Sequence, residues 1–210
     1  MNVLLIIICV AAFINELAMD NSQLTQFFYR YGMVPEQVME AYARQDYEQV
    51  LTPALTAIFL HGGWLHLLGN MLFLWVFGDN IEDRMGSFRY LLFFLLVGIL
   101  ANLAHAFATP SSELPTVGAS GAVAGVLGAY FISFPRSKVL TLLFLGILVT
   151  LVEIPAIFFL LYWFFLQLVN GVATLGVDTT INSGVAWWAH IGGFVAGALS
   201  VTFFSRSVIR

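Results

Sequence analysis

The sequence predicts an all-α polytopic membrane protein. Of its 210 residues, 60% are hydrophobic and only 10% are charged, a composition far from that of soluble domains. Apolar runs close to the roughly 20 residues that a spanning helix needs also recur six times along the chain. The net charge of -4 leaves no basic face to neutralise phosphates, so we expect the lipid bilayer, and no nucleic acid, as a partner.

Six segments are predicted to cross the membrane as one domain over residues 1–210. The first has no Lys or Arg before its apolar run and no clear small-residue cleavage site after it, so we interpret it as a retained span rather than a signal peptide. No repeat, linker or low-complexity tract separates the others. The predicted spans are residues 2–18, 63–83, 88–109, 118–134, 155–175 and 186–204.

Between the first two spans lies a long mixed loop, residues 19–62, which we expect on the outer side of the membrane. Within it, the stretch PEQVMEAYARQ places Pro35 at a plausible first helical position. Glu40 and Arg44 then stand four residues apart, as a favourable ion pair does on a helix. The loop is therefore predicted to contain one short interfacial helix.

The apolar run VLTLLFLGILVTLVE is the ambiguous part of the chain. It contains only 15 residues, carries Glu153 and runs into Pro155, which makes it short for a seventh span. We predict that residues 139–154 form a loop lying in or on the inner membrane surface.

The placement of Lys and Arg predicts that both termini are cytoplasmic. In the six-span arrangement most basic residues follow the second, fourth and last spans, as the positive-inside rule requires. These residues are Arg84, Arg89, Arg136, Lys138, Arg206 and Arg210, whereas Arg30 and Arg44 lie in the outer loop. The lack of a transit peptide and of extra helices favours the cytoplasmic (plasma) membrane.

Ser120 and His190 are candidates for a catalytic pair. The fourth and sixth spans run in the same direction, so both residues fall near the outer ends of their helices, at the same depth. Ser120 stands in the small-residue stretch TVGASGAVAGVLGAY, and His190 shares a face with Gly193 and Gly197. Small residues let membrane helices approach closely, which a nucleophile and its base require. The alternative is that the serine and glycines serve packing alone.

The second span adds HGGWLHLLGNM, in which His66 and Asn70 share a helical face. They are candidate donors to an oxyanion, together with unpaired backbone amides near Ser120; alternatively, they only bridge helices. His61 precedes a Gly-Gly break and is expected to point elsewhere. A metal site of His61, His66 and His190 is disfavoured, because no HExxH motif, Cys cluster or carboxylate stands nearby, and no cofactor is expected.

The motifs HGGWLHLLGN, GDNIEDRMG, GASG and AHIGG occur in this order and extend over nearly the whole chain. In these motifs the sequence resembles the rhomboid intramembrane serine proteases. The resemblance implies a six-transmembrane-helix bundle around a water-filled cavity, with Ser120 as nucleophile and His190 as general base. It implies that His66 and Asn70 line the oxyanion and substrate site and that Gly118 shapes the loop before the nucleophile. Transmembrane proteins cleaved near the outer face are the implied substrates.

The resemblance also implies that the fifth helix, here carrying YWFFLQL, is a lateral gate for substrate. Two departures from the family pattern affect the site. A Trp-Arg pair common in the first loop is replaced by DYEQVLTPAL, and Ala124 stands where several relatives have an aromatic residue against the histidine. His190 therefore needs another neighbour.

No acidic residue is placed to orient His190, since Asp178 is predicted in an outer loop and Glu153 near the inner face. We therefore expect a Ser-His dyad rather than a triad. The rival interpretation is a rhomboid-like pseudoenzyme that binds membrane helices without cutting them; such proteins typically lack the serine or the histidine. A channel or transporter is disfavoured, because the polar groups of the spans cluster at one outer-facing region.

Overall fold

Helices make up most of the structure, a computed structural model that describes residues 1–145, 148–175 and 185–206. Arg210 and Asp178, named above, lie outside these residues. The described helices are α1 (Asn2–Leu17), α2 (Asn21–Tyr31), α3 (Pro35–Ala43), α4 (Tyr47–Thr56), a 3-10 turn (Ala57–Phe59), α5 (Trp64–Met85), α6 (Ser87–Ala108), α7 (Ser120–Ser133), α8 (Ala156–Ala173) and α9 (Trp187–Phe204). Two strands, β1 (Lys138–Leu145) and β2 (Leu148–Pro155), lie between α7 and α8.

The length and hydropathy of these helices identify an integral, multi-pass membrane protein. Within the described residues, α6, α8 and α9 are each long and apolar enough to cross a membrane. The unit of α4 with its 3-10 turn and α5 passes the same test only jointly, with a bend of 88° at the break between them. α1 and α7 are apolar but shorter. Length and composition therefore support three spans, or four with the bent pair, against the six predicted.

α7 lies at the centre of the bundle, and all residues from Gly121 to Tyr130 are buried. Its most extensive packing is against α9. A Cβ atom added at Gly193 or Gly197 of α9 would overlap the backbone carbonyl of Gly121 or Gly125, respectively. The two backbones are therefore in direct contact, as small-residue stripes on membrane helices allow. Because the contacts follow the same order along both helices, α7 and α9 run parallel.

The segment 19–62 contains three α-helices, not the single one predicted. The predicted helix is present as α3: it begins at Pro35, and the Arg44 and Glu40 side chains approach to 3.5 Å. α2 and α4 are additional helices. The prediction of an otherwise irregular loop is therefore wrong for these two stretches.

Local capping explains the two additional helices. Asp20 accepts hydrogen bonds from the backbone of Ser22 and Gln23, and the Gln23 side chain returns a bond to the Asp20 backbone. Asp46 accepts from the backbone N–H of Gln49 at the start of α4. Such caps satisfy the donors that a helix start leaves unpaired, and they are readable as Asp followed three residues later by Gln.

Within residues 139–154, β1 and β2 form an antiparallel hairpin, so the predicted loop, and an all-α class, are wrong for these strands. β1 pairs with β2 from Lys138 opposite Pro155 to Leu145 opposite Leu148. β-Branched residues favour extended backbone; β2 contains four of them, Val149, Thr150, Val152 and Ile154, and β1 contains Val139 and Thr141. Pairing in a hairpin also gives hydrogen-bond partners to the backbone amides that face the other strand, without a further crossing of the bilayer.

Candidate active site

The parallel packing of α7 and α9 places Ser120 beside His190. Ser120 is the first residue of α7, and His190 lies in the first turn of α9. The Ser120 Oγ and His190 Nε2 atoms are 2.9 Å apart, which is within the range of a nucleophile hydrogen-bonded to its base. Both side chains are partly exposed to a cavity of about 500 Å³.

The other ring nitrogen of His190 contacts a residue that the sequence analysis did not select. His190 Nδ1 lies 2.8 Å from Oε1 of Gln167, on α8. Gln167 is only 6% exposed, and its Nε2 donates a hydrogen bond of 3.0 Å to the carbonyl of Trp163. The available signal was a lone glutamine within the apolar stretch YWFFLQL, because polar groups inside a membrane usually face a partner.

Aromatic rings supply the neighbour that His190 was expected to need in place of Ala124. The Trp163 ring lies 5.9 Å from the imidazole at an interplanar angle of 35°. The Trp187 ring, at 6.1 Å, meets the imidazole nearly edge-on, at 85°. The imidazole is thus bounded by rings from α8 and from its own helix.

His66 and Asn70 line the same cavity as Ser120, and Gly118 lies against both of them. Asn70 is buried, and its Nδ2 has no hydrogen-bond partner among the described residues. A Cβ atom added at Gly118 would lie 2.6 Å from His66 Nε2 and 3.7 Å from Asn70 Nδ2. Gly118 also has a φ of +132°, which only glycine adopts readily. The backbone just before Ser120 therefore runs directly against both candidate donors.

Residues of the segment 19–62 hold the loop that leads into Ser120. The backbone N–H of Gly118 donates to the carbonyl of Ala57, in the 3-10 turn, over 2.9 Å. Met33 and Thr116 exchange two backbone hydrogen bonds, of 2.9 and 2.8 Å. Since these bonds join segments far apart in sequence, they orient the loop that precedes α7.

Two further bonds anchor the stretch DYEQVLTPAL, which stands where the Trp-Arg pair was expected. The stretch forms most of α4. The Asn102 side chain of α6 donates to the Ala54 carbonyl over 2.8 Å in a buried contact. The hydroxyl of Thr56, next along the chain, donates to the Tyr31 carbonyl over 2.6 Å. α4 is therefore joined to both α6 and α2.

His61 is not among the residues that line the cavity containing Ser120, as expected from its position before the Gly-Gly break. Its ring centroid lies 5.2 Å from that of His66. The His61 backbone N–H lies 3.3 Å from both carboxylate oxygens of Glu16, on α1. The turn at the Gly-Gly break therefore brings His61 behind His66, away from the cavity that contains Ser120. Among the described residues, no group of three His, Cys, Asp or Glu side chains is arranged to hold a metal ion.

Comparison with known proteins adds an independent finding. Residues 48–207 match the family model described as the Rhomboid domain. The chain is 31% identical over 160 residues to Rhomboid-like protein 11, chloroplastic, from Arabidopsis thaliana, which covers 72% of this chain. It is 34% identical over 143 residues, 68% of the chain, to Rhomboid protease GluP from Bacillus subtilis. It is 26% identical over 170 residues, 79% of the chain, to Rhomboid protein 1, mitochondrial, from Saccharomyces cerevisiae.

These relatives are longer than this chain. The matched region covers 52% of the Arabidopsis protein, 24% of the Bacillus protein and 45% of the yeast protein. The chain therefore spans about half or less of the length of these relatives.

Proposed function

This chain belongs to the rhomboid family, whose members are generally intramembrane serine proteases, and on that premise we propose that it is a serine endopeptidase acting on transmembrane segments. It cleaves membrane proteins near the outer membrane face with a Ser-His dyad. The observation that carries the proposal is the contact of 2.9 Å between Ser120 Oγ and His190 Nε2, beside a cavity of about 500 Å³.

In the proposed reaction Ser120 is the nucleophile and His190 the general base. His190 Nε2 takes the hydroxyl proton as Oγ bonds to the substrate carbonyl carbon. The C–N bond of the tetrahedral intermediate then breaks, and Nε2 returns the proton to the leaving amine. A water molecule, deprotonated by the same nitrogen, hydrolyses the acyl-enzyme ester and regenerates Ser120.

Asn70 and His66 are the proposed side-chain donors to the oxyanion. The unpartnered Nδ2 of Asn70 is available to a substrate oxygen. The backbone N–H of Ser120 adds a third donor, since the first amides of a helix lack intrahelical partners. Preorganised donors of this kind stabilise the negative charge that develops in the transition state.

The length of α7 supports cleavage inside the membrane. Its 14 residues rise about 21 Å, whereas the hydrocarbon core is about 30 Å thick. With its last residue at the inner surface, near Arg136 and Lys138, α7 begins below the outer surface. We also propose six spans in one domain of the cytoplasmic membrane, with both termini cytoplasmic, as the placement of the Lys and Arg residues indicates.

α8 is the proposed gate through which substrate enters sideways. Its Phe159 ring stacks on Phe73 and Phe77 of α5, with centroids 6.4 and 6.2 Å apart.

A substrate helix must expose its backbone to be cut, and each unpaired group in lipid costs several kcal/mol. Substrates should therefore carry Gly or Pro near the outer face. A tight cavity also favours a small residue before the cut. Equal cleavage of substrates with and without such helix-weakening residues would contradict this.

A fluorophosphonate probe applied to the detergent-solubilised protein tests the proposal. Labelling is expected in the unmodified protein and in Ser133→Ala, at the opposite end of α7, and is expected to be absent in Ser120→Ala and strongly reduced in His190→Ala. Persistent labelling of Ser120→Ala would remove Ser120 as the nucleophile. A folded, unmodified protein that neither labels nor cleaves would favour the pseudoenzyme interpretation.

A further inference from the structure

We propose that Gln167 is the positioning residue of the Ser120–His190 pair. Its side-chain carbonyl accepts a hydrogen bond from the Nδ1–H of His190, and this holds the imidazole in the tautomer whose Nε2 can take the Ser120 proton. The inference rests on the proposed protease activity and assigns this glutamine a part in it.

The contact between Gln167 and His190 determines which ring nitrogen of the histidine carries the hydrogen. A neutral imidazole carries its hydrogen on one nitrogen only. Gln167 Oε1 can only accept, so a hydrogen bond over its 2.8 Å distance to Nδ1 requires the hydrogen to be on Nδ1. Nε2 then has a free lone pair directed at Ser120 Oγ, 2.9 Å away. In the opposite tautomer, the lone pair of His190 Nδ1 would face a lone pair of Gln167 Oε1.

The orientation of the Gln167 amide is determined independently, by its second hydrogen bond, to the Trp163 carbonyl. Amide oxygen and nitrogen have nearly the same shape, so a network must distinguish them. The Trp163 carbonyl can only accept, and it lies 3.0 Å from Gln167 Nε2. The NH₂ group therefore faces Trp163, and the oxygen faces His190. Because Gln167 is 6% exposed, water competes little for either bond.

Two side chains of α8 contact the imidazole, from two sides. Trp163 precedes Gln167 by one helical turn, so the two side chains lie on one face of α8. The Trp163 ring packs at 5.9 Å from the imidazole centroid while the Gln167 oxygen contacts its edge. Rotation of the ring away from Ser120 would break the hydrogen bond and disturb the packing together.

The membrane surroundings explain why an amide, and not a carboxylate, occupies this position. Among the described residues no carboxylate forms a hydrogen bond or ion pair with His190. An ionised carboxylate inside a membrane is expensive, whereas a neutral amide provides the same acceptor geometry without a buried charge. The Gln167 carbonyl also accepts from the imidazolium that forms when His190 takes the proton.

Three variants of α8 test the proposal kinetically, with cleavage of a transmembrane substrate as the assay. Gln167→Met keeps the length of the side chain but removes the acceptor. Gln167→Glu keeps an oxygen acceptor and, in its neutral form, a hydroxyl for the Trp163 carbonyl. Asn170→Leu is the matched control, because Asn170 donates over 2.7 Å to the carbonyl four residues earlier in the same way, whereas the hydrogen bonds of the His190 ring among the described residues are to Gln167 and Ser120.

We expect kcat of Gln167→Met to fall about 10- to 100-fold, within what general-base catalysis contributes, with KM unchanged. Gln167→Glu should recover most of this loss, and Asn170→Leu should match the unmodified protein. A Met variant with full kcat would overturn the proposal. So would a Glu variant as impaired as the Met variant, since the position would then act through packing.

A second measurement does not depend on turnover. Imidazole ¹⁵N chemical shifts of the unmodified protein distinguish a protonated from an unprotonated ring nitrogen, and the His190→Ala spectrum identifies the His190 signals. We expect hydrogen on Nδ1 in the unmodified protein and a shift towards Nε2–H in Gln167→Met. Hydrogen on Nε2 in the unmodified protein would overturn the role of Gln167. Failure of the protease proposal would instead appear as absent cleavage with the Nδ1–H tautomer intact.

Discussion

The side-chain amide of Asn70 is a buried donor that lines the cavity containing Ser120. A buried donor left without a partner ordinarily costs about 1–3 kcal/mol. Asn70 is 8% exposed, and its Nδ2 has no partner among the described residues. The cavity beside it is where a substrate carbonyl oxygen would lie. The unpaired amide is therefore consistent with a donor kept for the oxyanion.

We predict that Asn70→Ala lowers the cleavage rate about 100- to 1,000-fold, as the loss of one oxyanion donor typically does, while leaving activity measurable. Ser120→Ala should have no activity above background. Cleavage assays on both proteins, at equal folded fraction, give the comparison. Unchanged activity of Asn70→Ala would rule out its role as a donor.

Gly118→Ala should also impair cleavage, for a steric reason. The added Cβ would lie 2.6 Å from His66 Nε2, and alanine is strained at a φ of +132°. Because displacements of about 1 Å in an active site can cost 100-fold, we expect a 10- to 100-fold loss of kcat. Testing Gly118→Ala again in a His66→Ala background separates the two causes. A smaller additional loss there identifies the His66 clash, and an equal loss assigns the effect to backbone strain.

Among the helices, the contact between α7 and α9 determines whether the proposed dyad exists. Ser120 and His190 are 70 residues apart in sequence and belong to different helices. Their side chains meet because backbone lies against backbone at Gly121 and Gly193. A helix pair with larger side chains at these positions would stand farther apart than one hydrogen bond can bridge.

We predict that Gly197→Ala destabilises the protein and separates the dyad. Its Cβ would overlap the Gly125 carbonyl and lie 2.7 Å from the Gly125 Cα, and both are backbone atoms that cannot rotate away. Such overpacking typically costs about 1–3 kcal/mol. Thermal unfolding in detergent and cleavage rate should both fall. Gly69→Ala is the stability control, since a Cβ there meets nothing within 4 Å; equal unfolding temperatures for the two variants would contradict the prediction.

The arrangement of the bundle across the bilayer is testable with cysteines. The native Cys9 is fully buried, so the unmodified protein should not react with a maleimide that cannot cross membranes. Glu113→Cys lies in the exposed loop before α7, and Asp83→Cys is exposed near the end of α5. Acidic residues influence topology little, so both substitutions should leave the orientation unchanged.

We predict that Glu113→Cys is labelled in intact cells, because the proposed topology has it outside. Asp83→Cys should be labelled only after the membrane is permeabilised. Gel-shift detection of the labelled protein gives the measurement. Labelling in the reverse order would overturn the proposed cytoplasmic position of both termini.

Local sequence signals, such as residue spacing and hydropathy, predict several of the observed helices. Pro35 and the Glu40–Arg44 spacing were enough to predict α3, and the hydropathy of residues 88–109 was enough to predict α6. α2 and the hairpin were missed for different reasons. The Asp20 cap is local and readable, but the prediction did not weigh it. Strand formation in residues 139–154 depends on pairing between two segments, which a single hydropathy profile does not report.

The sequence by itself determined the membrane character of the chain, its long apolar helices and the candidacy of Ser120, His190, His66 and Asn70, because hydropathy, spacing and motif order are properties of the chain alone. Only the tertiary structure decided that Gln167 contacts the imidazole, across 23 residues of sequence. That contact depends on how α8 is rotated about its own axis against α9. Helix rotation is set by side-chain packing between elements, which no local pattern encodes.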